Sequence, residues 1–329
     1  MTRLVLTAFG DPVESIAVET TDGLRPGPGE LLVRMEAAPV NDSDFLLIRG
    51  LYPERPRLPY PVGTEGVGRV VEAGPATSPD LLGRRVMIFP TYEQGTWADQ
   101  LLVAETNVVV VDGDADPLQL AMAGINPPTA WVLLHRFTTL APGDWVGQTA
   151  ANSAVGLYVI ALAKRLGLRT LNVVRRDAAV DVARRAGGDV VLLDGDDLGE
   201  RITAALDGQR LALVLDAVGG SAVGELAHVL RFGGKAVSYA FVSGKPPAVS
   251  VLDSVFNEIA TTGFWVINWL RSTPRAEVLD TYRQLAELVA AGELTAPVEA
   301  TYALTDYKQA FEHAAAGHRN GKVLFRFES

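Results

Sequence analysis

Between Trp145 and Phe241 the chain repeats one pattern: a short apolar run, a turn, then about ten residues carrying an amphipathic stripe. "DWVGQTA", "TLNVV", "DVVLL", "LALVLDAVG" and "GKAVSYAF" read as strands, with "SAVGLYVIALAKRLG", "AAVDVARRAG", "ERITAALDG" and "GELAHVLRFG" as the helices between them. Strands joined through helices run parallel, and the helices cover both faces of the sheet. Burial on both faces explains why "LALVLDAV" is almost continuously apolar instead of alternating. In the first helix Val155, Val159, Leu162, Ala163 and Leu166 recur at three and four residues, and Gly167 ends it. "TTGFWVINWL" reads as one more strand.

The flanks follow a different grammar. Residues 1 to about 120 show short alternating runs such as "ELLVRMEA", "GVGRVVEAG" and "RRVMIF" between "RPGPG" and "GPATSPD", the pattern of a compact, mostly β domain. "EVLDTYRQLAELVAAGEL" is an amphipathic helix and "GKVLFRF" a last strand, so the last 60 or so residues are expected to rejoin the first domain. A length of 329 residues suits two domains.

Composition narrows the function classes. Apolar residues make up 48% and charged residues 21%, the profile of a globular protein, and no apolar run is long enough to span a bilayer. The N-terminus enters a strand pattern at once, without a charged-then-apolar signal, which leads to the expectation of a cytoplasmic protein. The absence of cysteine removes disulfides, thiolate nucleophiles and Cys-based zinc sites. A net charge of −10 with no basic block disfavours nucleic acid as a partner, while local arginines still admit an anionic small ligand.

"QTAANSAVG", residues 148 to 156, lies where the first parallel strand turns into its helix. Free N–H groups and a partial positive charge make this the place for a phosphate. Of the usual G-x-G-x-x-G fingerprint only Gly156 remains, though small residues at 151, 153 and 154 still permit close approach. Ser153 is suited to cap the helix while donating to a phosphate. The loop alone fits a plain N-capped helix nearly as well. The next strand ends "NVVRRD", with Arg175 and Arg176 where an NAD enzyme carries an acid for the ribose hydroxyls. Guanidinium groups there suit a 2′-phosphate, which favours NADPH over NADH. A solvated arginine pair is the plainer reading, and Asp177 is placed to pair with either one.

"APVNDSD", "IRGLYP", "VGTEGVGRVVEAG", "GTWADQLLV", "GINPPTAW", "ANSAVGLYVIALAKRLGLRTLNVVR", "DAVGG" and "GFWVINW" together carry a resemblance over nearly the whole chain. The sequence resembles the zinc-free medium-chain dehydrogenase/reductases, most closely the mitochondrial-type trans-2-enoyl-CoA/ACP reductases, within a quinone oxidoreductase-like group. Asn41 and Thr64 stand where zinc-dependent relatives carry Cys and His, and the four-cysteine structural zinc segment is also missing, so no metal is expected. The resemblance implies an α/β fold: a Rossmann doubly wound parallel sheet at 123–269, plus a GroES-like, mostly β catalytic domain at 1–122 completed by 270–329. It implies NADPH-dependent reduction of the C=C bond of a 2-enoyl thioester, borne by CoA or an acyl carrier protein, in a homodimer paired through the "TTGFWV" edge strand.

The same resemblance implies Tyr52 as proton donor. It implies cofactor contacts from Asn126, from Asn152, Ser153, Ala154 and Val155, from Arg175 and Arg176, from Tyr239, Phe241 and Val242, from Phe264 and Trp265, and from Lys322. Three features depart from the family pattern. The phosphate turn reads Arg-Arg-Asp, a "YGG"-type turn reads "YAF", and "FPTYEQGTW" is short for the branch.

Without zinc ligands, alcohol oxidation is disfavoured, because nothing polarises the alcohol oxygen. Reduction of an activated alkene needs no metal: hydride enters at the β-carbon, the carbonyl takes the enolate charge, and a Tyr hydroxyl protonates the α-carbon. Asn41, Thr64 and Trp269 are then expected as pocket walls. Trp265 and Trp269, four apart on the expected strand, face the same way and read equally as core, as dimer strand or as acyl-pocket wall. Tyr52 on its own reads as a loop aromatic between Gly50 and Pro53.

Two rivals remain open: a quinone or α,β-unsaturated carbonyl reductase of the same fold, and a non-catalytic NADPH-binding protein. His135, His228, His313 and His318 are scattered, the last two at a spacing of five that misses helical metal ligation.

Overall fold

The computed structural model describes residues 1–316, 319 and 321–328; His318 lies outside the described residues. The chain divides into two compact units, one comprising residues up to Ile125 together with those from Thr273 onward, the other spanning Asn126–Ser272.

The second unit is built on a six-stranded, wholly parallel sheet. Its strands lie in the order Val190–Leu193, Arg169–Val174, Trp145–Gln148, Leu211–Asp216, Leu230–Ser238 and Ala260–Gly263. Numbered within the sheet this is 3-2-1-4-5-6, the Rossmann order, whose direction of winding reverses beside Trp145–Gln148. Ligands bind such sheets outside the carboxyl ends of the strands at that reversal. Every residue of Leu211–Asp216 is buried, as its continuous apolar run requires. The helix Ala154–Arg165 buries more than one stripe: Leu157, Tyr158 and Ile160 are covered as well as Val155, Val159, Leu162 and Ala163. The helix Asn126–Arg136 packs along its other side.

Two sequence expectations change here. The run "TTGFWVINWL" is a strand only over Ala260–Gly263; the residues Val266–Ser272 form a helix. The last sheet bond is donated by Phe264 N to Ser238 O at 2.9 Å, after which Trp269 N reaches back to Trp265 O. Trp265 and Trp269 are therefore neighbours at helical spacing, not on a strand face. Aromatic and β-branched residues favour strands on average, but the spacing of Phe264, Ile267 and of Val266, Trp269 suits a helix, and an apolar run this short does not separate the two. Likewise the helix read over "GELAHVLRFG" ends at His228, and Leu230–Ser238 is already strand.

The first unit carries a seven-stranded sheet in which Glu30–Pro39 is central. It pairs antiparallel with Gly66–Ala73, with Gln100–Ala104 and with the C-terminal strand Lys322–Arg326. A smaller sheet joins Ile16–Thr20, Thr2–Leu6 and Tyr60–Pro61. The helix Tyr307–Ala315 drives Phe311 into the core, where its ring lies 5.0 Å from Trp97, 5.6 Å from Phe45 and from Tyr307, and 6.2 Å from Phe325. Among the described residues no helix is long and apolar enough to cross a membrane.

Because Phe311 is 1% exposed at the centre of these rings, Phe311→Ala leaves a cavity that its rigid neighbours do not fill. The expected loss is about 3–5 kcal/mol of stability, measured by urea or thermal denaturation.

Candidate active site

In the parallel-sheet unit the chain leaves Trp145–Gln148 through Thr149 and turns at Ala150, whose φ of 49° is left-handed. Ser153 then caps the helix Ala154–Arg165, its Oγ accepting from Gly156 N at 3.1 Å. Gly156 cannot be replaced cheaply: a Cβ there would sit 2.6 Å from the carbonyl oxygen of Ala151. Asn152, Ser153 and Ala154 remain half-exposed at the helix start, while Val155 turns inward. The first N–H groups of a helix of this length present an anion site.

Asp216, at the end of its strand, binds the rim of this site together. Its Oδ1 accepts from Thr149 Oγ1 at 2.8 Å, both oxygens accept from Gly219 N, and Oδ2 accepts from Ser238 Oγ at 3.2 Å. One carboxylate thus ties together the ends of three adjacent strands. Beyond Ser238, the half-buried Tyr239 sets its hydroxyl beside Ser153; burial pushes its pKa upward and the Ser153 hydroxyl offsets part of that. Phe241 and Val242 follow on an exposed turn, held by Val242 N donating to Ala217 O. Phe264 is buried, edge-on to Phe137 at 5.9 Å, and Trp265 is half-buried with the Arg271 guanidinium 5.8 Å from its ring centre. Trp269 is buried.

Two observations fit a phosphorylated dinucleotide. The Nδ2 of Asn126 is buried without a hydrogen-bond partner among the described residues, a donor that costs free energy until a ligand accepts from it. Arg175 is exposed just past Arg169–Val174, the strand beside the loop strand, and among the described residues forms no ion pair with Asp177. Its guanidinium is therefore available to a 2′-phosphate, with half-buried Arg176 beside it.

In the other unit, Asn41 and Thr64 belong to a buried polar network. Asn41 precedes the helix Asp42–Ile48, and its N–H donates to Asp44 Oδ2 at 2.8 Å. Asp44 Oδ1 accepts from Thr64 Oγ1 at 2.8 Å. The Asn41 amide donates to Glu65 Oε1 at 2.8 Å and accepts from Lys322 Nζ at 2.5 Å. Glu65 Oε2 accepts from Ile125 N at 2.8 Å. The polar atoms of Asn41 and Thr64, each 4% exposed, are thus engaged by protein partners. Lys322 is held by Asn41. Tyr52 follows the same helix, on a loop that turns at Gly50 (φ 70°) and is pinned by Arg55 Nη2 donating to Gly50 O at 2.9 Å. Its half-buried ring lies 5.8 Å from that of Tyr92. Among the described residues no group of three or more His, Cys, Asp or Glu side chains is arranged to hold a metal.

Two family profiles match the chain: one described as zinc-binding dehydrogenase over residues 154–290, one as alcohol dehydrogenase GroES-like domain over 27–113. The sequence is 33% identical over 317 residues to the mitochondrial enoyl-[acyl-carrier-protein] reductase of Xenopus tropicalis, covering 94% of this chain and 90% of that protein. It is 35% identical over 337 residues to a protein of the same name from Caenorhabditis elegans, covering 99% and 95%. The chain belongs to the medium-chain dehydrogenase/reductase superfamily, in its enoyl reductase branch.

Among solved structures, a candidate NADPH:quinone reductase from Bacillus thuringiensis superposes with a TM-score of 0.91 at 28% identity, covering 99% of both chains. The Etr1p complex with NADP and crotonyl-CoA superposes at 0.86 with 24% identity and the same coverage, a likeness of fold. The expected cytoplasmic location does not stand: the relatives of this enoyl reductase are named as mitochondrial.

Sequence reasoning passed over Asp44, Glu65, Tyr92 and Asp216. For Asp216 a signal existed, an acid ending an otherwise apolar strand. The pairing of Glu65 with Asn41 and Ile125 had none, because its partners are 24 and 60 residues away. Burial pushes Glu65 from 4.5 up to about 7 and Asp44 from 3.8 up to about 6, with Lys322 and the hydrogen bonds opposing. A carboxyl whose folded pKa lies above its unfolded one binds more protons folded than unfolded between the two values. Stability from Glu65 is therefore full below pH 4.5 and falls as pH rises through about 7. Melting curves from pH 5 to 8 should show wild type losing on the order of 2–3 kcal/mol relative to Glu65→Gln over that window.

Proposed function

We propose that the protein uses NADPH to reduce the C=C bond of a 2-enoyl thioester, with Tyr52 as the proton donor. The observation that carries this reading is the identity of 33–35% to enoyl-[acyl-carrier-protein] reductases across both units. NADPH supplies the hydride when bound. The chain's own residues do the rest. The start of the helix Ala154–Arg165 and Ser153 receive the pyrophosphate, Arg175 and Arg176 the 2′-phosphate, and Asn126 Nδ2 a cofactor acceptor atom. Tyr239, Phe241, Val242, Phe264 and Trp265 complete the cofactor side, and Trp269 the pocket. Hydride at the β-carbon leaves an enolate whose α-carbon takes the Tyr52 proton; a Tyr hydroxyl, ordinarily titrating near 10, is protonated at neutral pH.

The names of the relatives support an acyl carrier protein as the partner that presents the substrate. A homodimer is the proposed assembly. Ala260–Gly263 ends the parallel sheet as an exposed strand, and Val251, Leu252, Val255 and Phe256 are 63–74% exposed on the helix before it. Such an edge invites pairing, and apolar surface beside it favours burial against a second copy. The Bacillus thuringiensis structure supports a second reading, quinone reduction, on the same scaffold.

NADPH oxidation with crotonyl-CoA, a longer 2-enoyl-CoA and a small quinone, run side by side, separates the two readings; thioester turnover well above quinone turnover is expected, and quinone-only turnover would reverse the assignment. Tyr52→Phe is expected to lower thioester turnover at least about 100-fold with the Kd for NADPH unchanged. Arg175→Ala should raise the KM for NADPH about tenfold and leave that for NADH alone, since a charge-assisted phosphate contact is lost. An unchanged NADPH to NADH ratio would place the phosphate clamp elsewhere.

A further inference from the structure

Tyr92 sits in the segment "FPTYEQGTW" and has a feature that a loop tyrosine avoids: its φ is 61°. Left-handed backbone is uncommon for any residue with a Cβ and persists where the surroundings enforce it, often at functional sites. The enforcing bonds are local and many. Thr91 N and Gln94 Nε2 both donate to Phe89 O at 2.8 Å, and Thr91 Oγ1 donates to Gln94 Oε1 at 3.1 Å. Asn107 Nδ2 donates to Glu93 Oε2 at 2.6 Å, and the Tyr60 hydroxyl donates to the Tyr92 carbonyl oxygen at 3.1 Å.

This scaffold carries the Tyr92 ring to Tyr52, at 5.8 Å between centres and 49° between planes, both rings packing on the same core. Burial, then the neighbouring Tyr52, pushes Tyr92 above the ordinary tyrosine range, so its hydroxyl keeps its proton at neutral pH.

We propose that Tyr92 is a positioning residue for the reductive step: its hydroxyl donates to the Tyr52 oxygen, aims the Tyr52 proton and stabilises the phenolate left behind. The inference rests on Tyr52 being the proton donor. In the step, the Tyr52 O–H bond breaks and a C–H bond forms at the α-carbon with the enolate electron pair. The electron pair of the broken bond stays on the Tyr52 oxygen, where it accepts from the intact Tyr92 O–H. Solvent then returns a proton to Tyr52. A donor aimed at charge that appears only during reaction lowers the barrier without tightening substrate binding. The titratable groups facing Tyr92 are Tyr52, Asp44 and Tyr60, with Glu54 acting on Tyr60. Burial pushes Asp44 up only to about 6 and holds Tyr60 above the ordinary tyrosine range, so neither changes charge where an alkaline limb is read.

The test is the pH profile of kcat and kcat/KM for crotonyl-CoA reduction by wild type, Tyr52→Phe and Tyr92→Phe, with thermal melts and the KM for NADPH alongside. Tyr92→Phe should lower kcat about tenfold at neutral pH, leave the KM for NADPH unchanged and move the alkaline limb to higher pH, because the phenolate loses its donor. Tyr92→Asn, which suits left-handed backbone and cannot supply the phenol, gives the same result if the Phe variant folds poorly. An alkaline limb that stays in place in a folded variant overturns the role of Tyr92. So does a fall in activity matched only by a lower melting temperature or a raised KM for NADPH. Full turnover by Tyr52→Phe would instead remove the donor reading on which the inference stands, which separates the two failures.

Discussion

A buried carboxylate is stable only when donors surround it, and Glu65 is the point at which this chain meets that constraint. It is wholly buried, it accepts from Asn41 Nδ2 on one oxygen and from Ile125 N on the other, and it shares one nearby cation, Lys322, with Asp44. Removing any of those partners leaves a buried polar group without compensation, which costs more than the intact bond contributes. The network explains what Asn41 and Thr64 do in this unit: each satisfies a buried carboxylate. Asn41 offers both a donor and an acceptor, so it bridges the Glu65 carboxylate and the Lys322 ammonium. Thr64 supplies the donor that Asp44 needs, and Asp44 in turn fixes the start of the helix that leads to Tyr52.

Asp216 plays the corresponding part in the parallel-sheet unit. A parallel sheet leaves its strand ends as separate loops, and a dinucleotide needs those loops fixed relative to one another. Asp216 fixes them through Thr149, Gly219 and Ser238. Gly156 completes the arrangement, because the helix start packs too closely on Ala151 to admit a side chain. The reduced glycine content of the loop is therefore compatible with the phosphate role: the position that needs a glycine has one, and Ala150 takes the left-handed turn at moderate cost.

Much of this was legible beforehand. The alternation of strand and helix from Trp145 onward fixes a parallel sheet by chain geometry alone, and the missing cysteines exclude a thiolate metal site by inventory. The position of Arg175 just past its strand was legible because it is set by local sequence; its contact with a 2′-phosphate is a proposal. The segment after Gly263 was misread because aromatic and β-branched residues at short length satisfy a strand and a helix equally, and the ladder to Ser238 ends one residue later. The cytoplasmic expectation failed for a different reason: it rested on the absence of a pattern at one end of the sequence, which carries little weight against relatives named as mitochondrial.

By itself, the sequence determined the kind of sheet and the use of a phosphorylated nicotinamide cofactor, because each depends on residue identity or on spacing within one element. Tertiary structure alone decided which polar groups share a bond. Glu65 meets Ile125 and Asn41 meets Lys322 across 60 and 281 residues, and the Tyr92 ring packs beside that of Tyr52 from a loop with left-handed backbone. Such pairings are set by how strands cross within a sheet and by what must be covered when they do, and neither is written into any stretch of neighbouring residues.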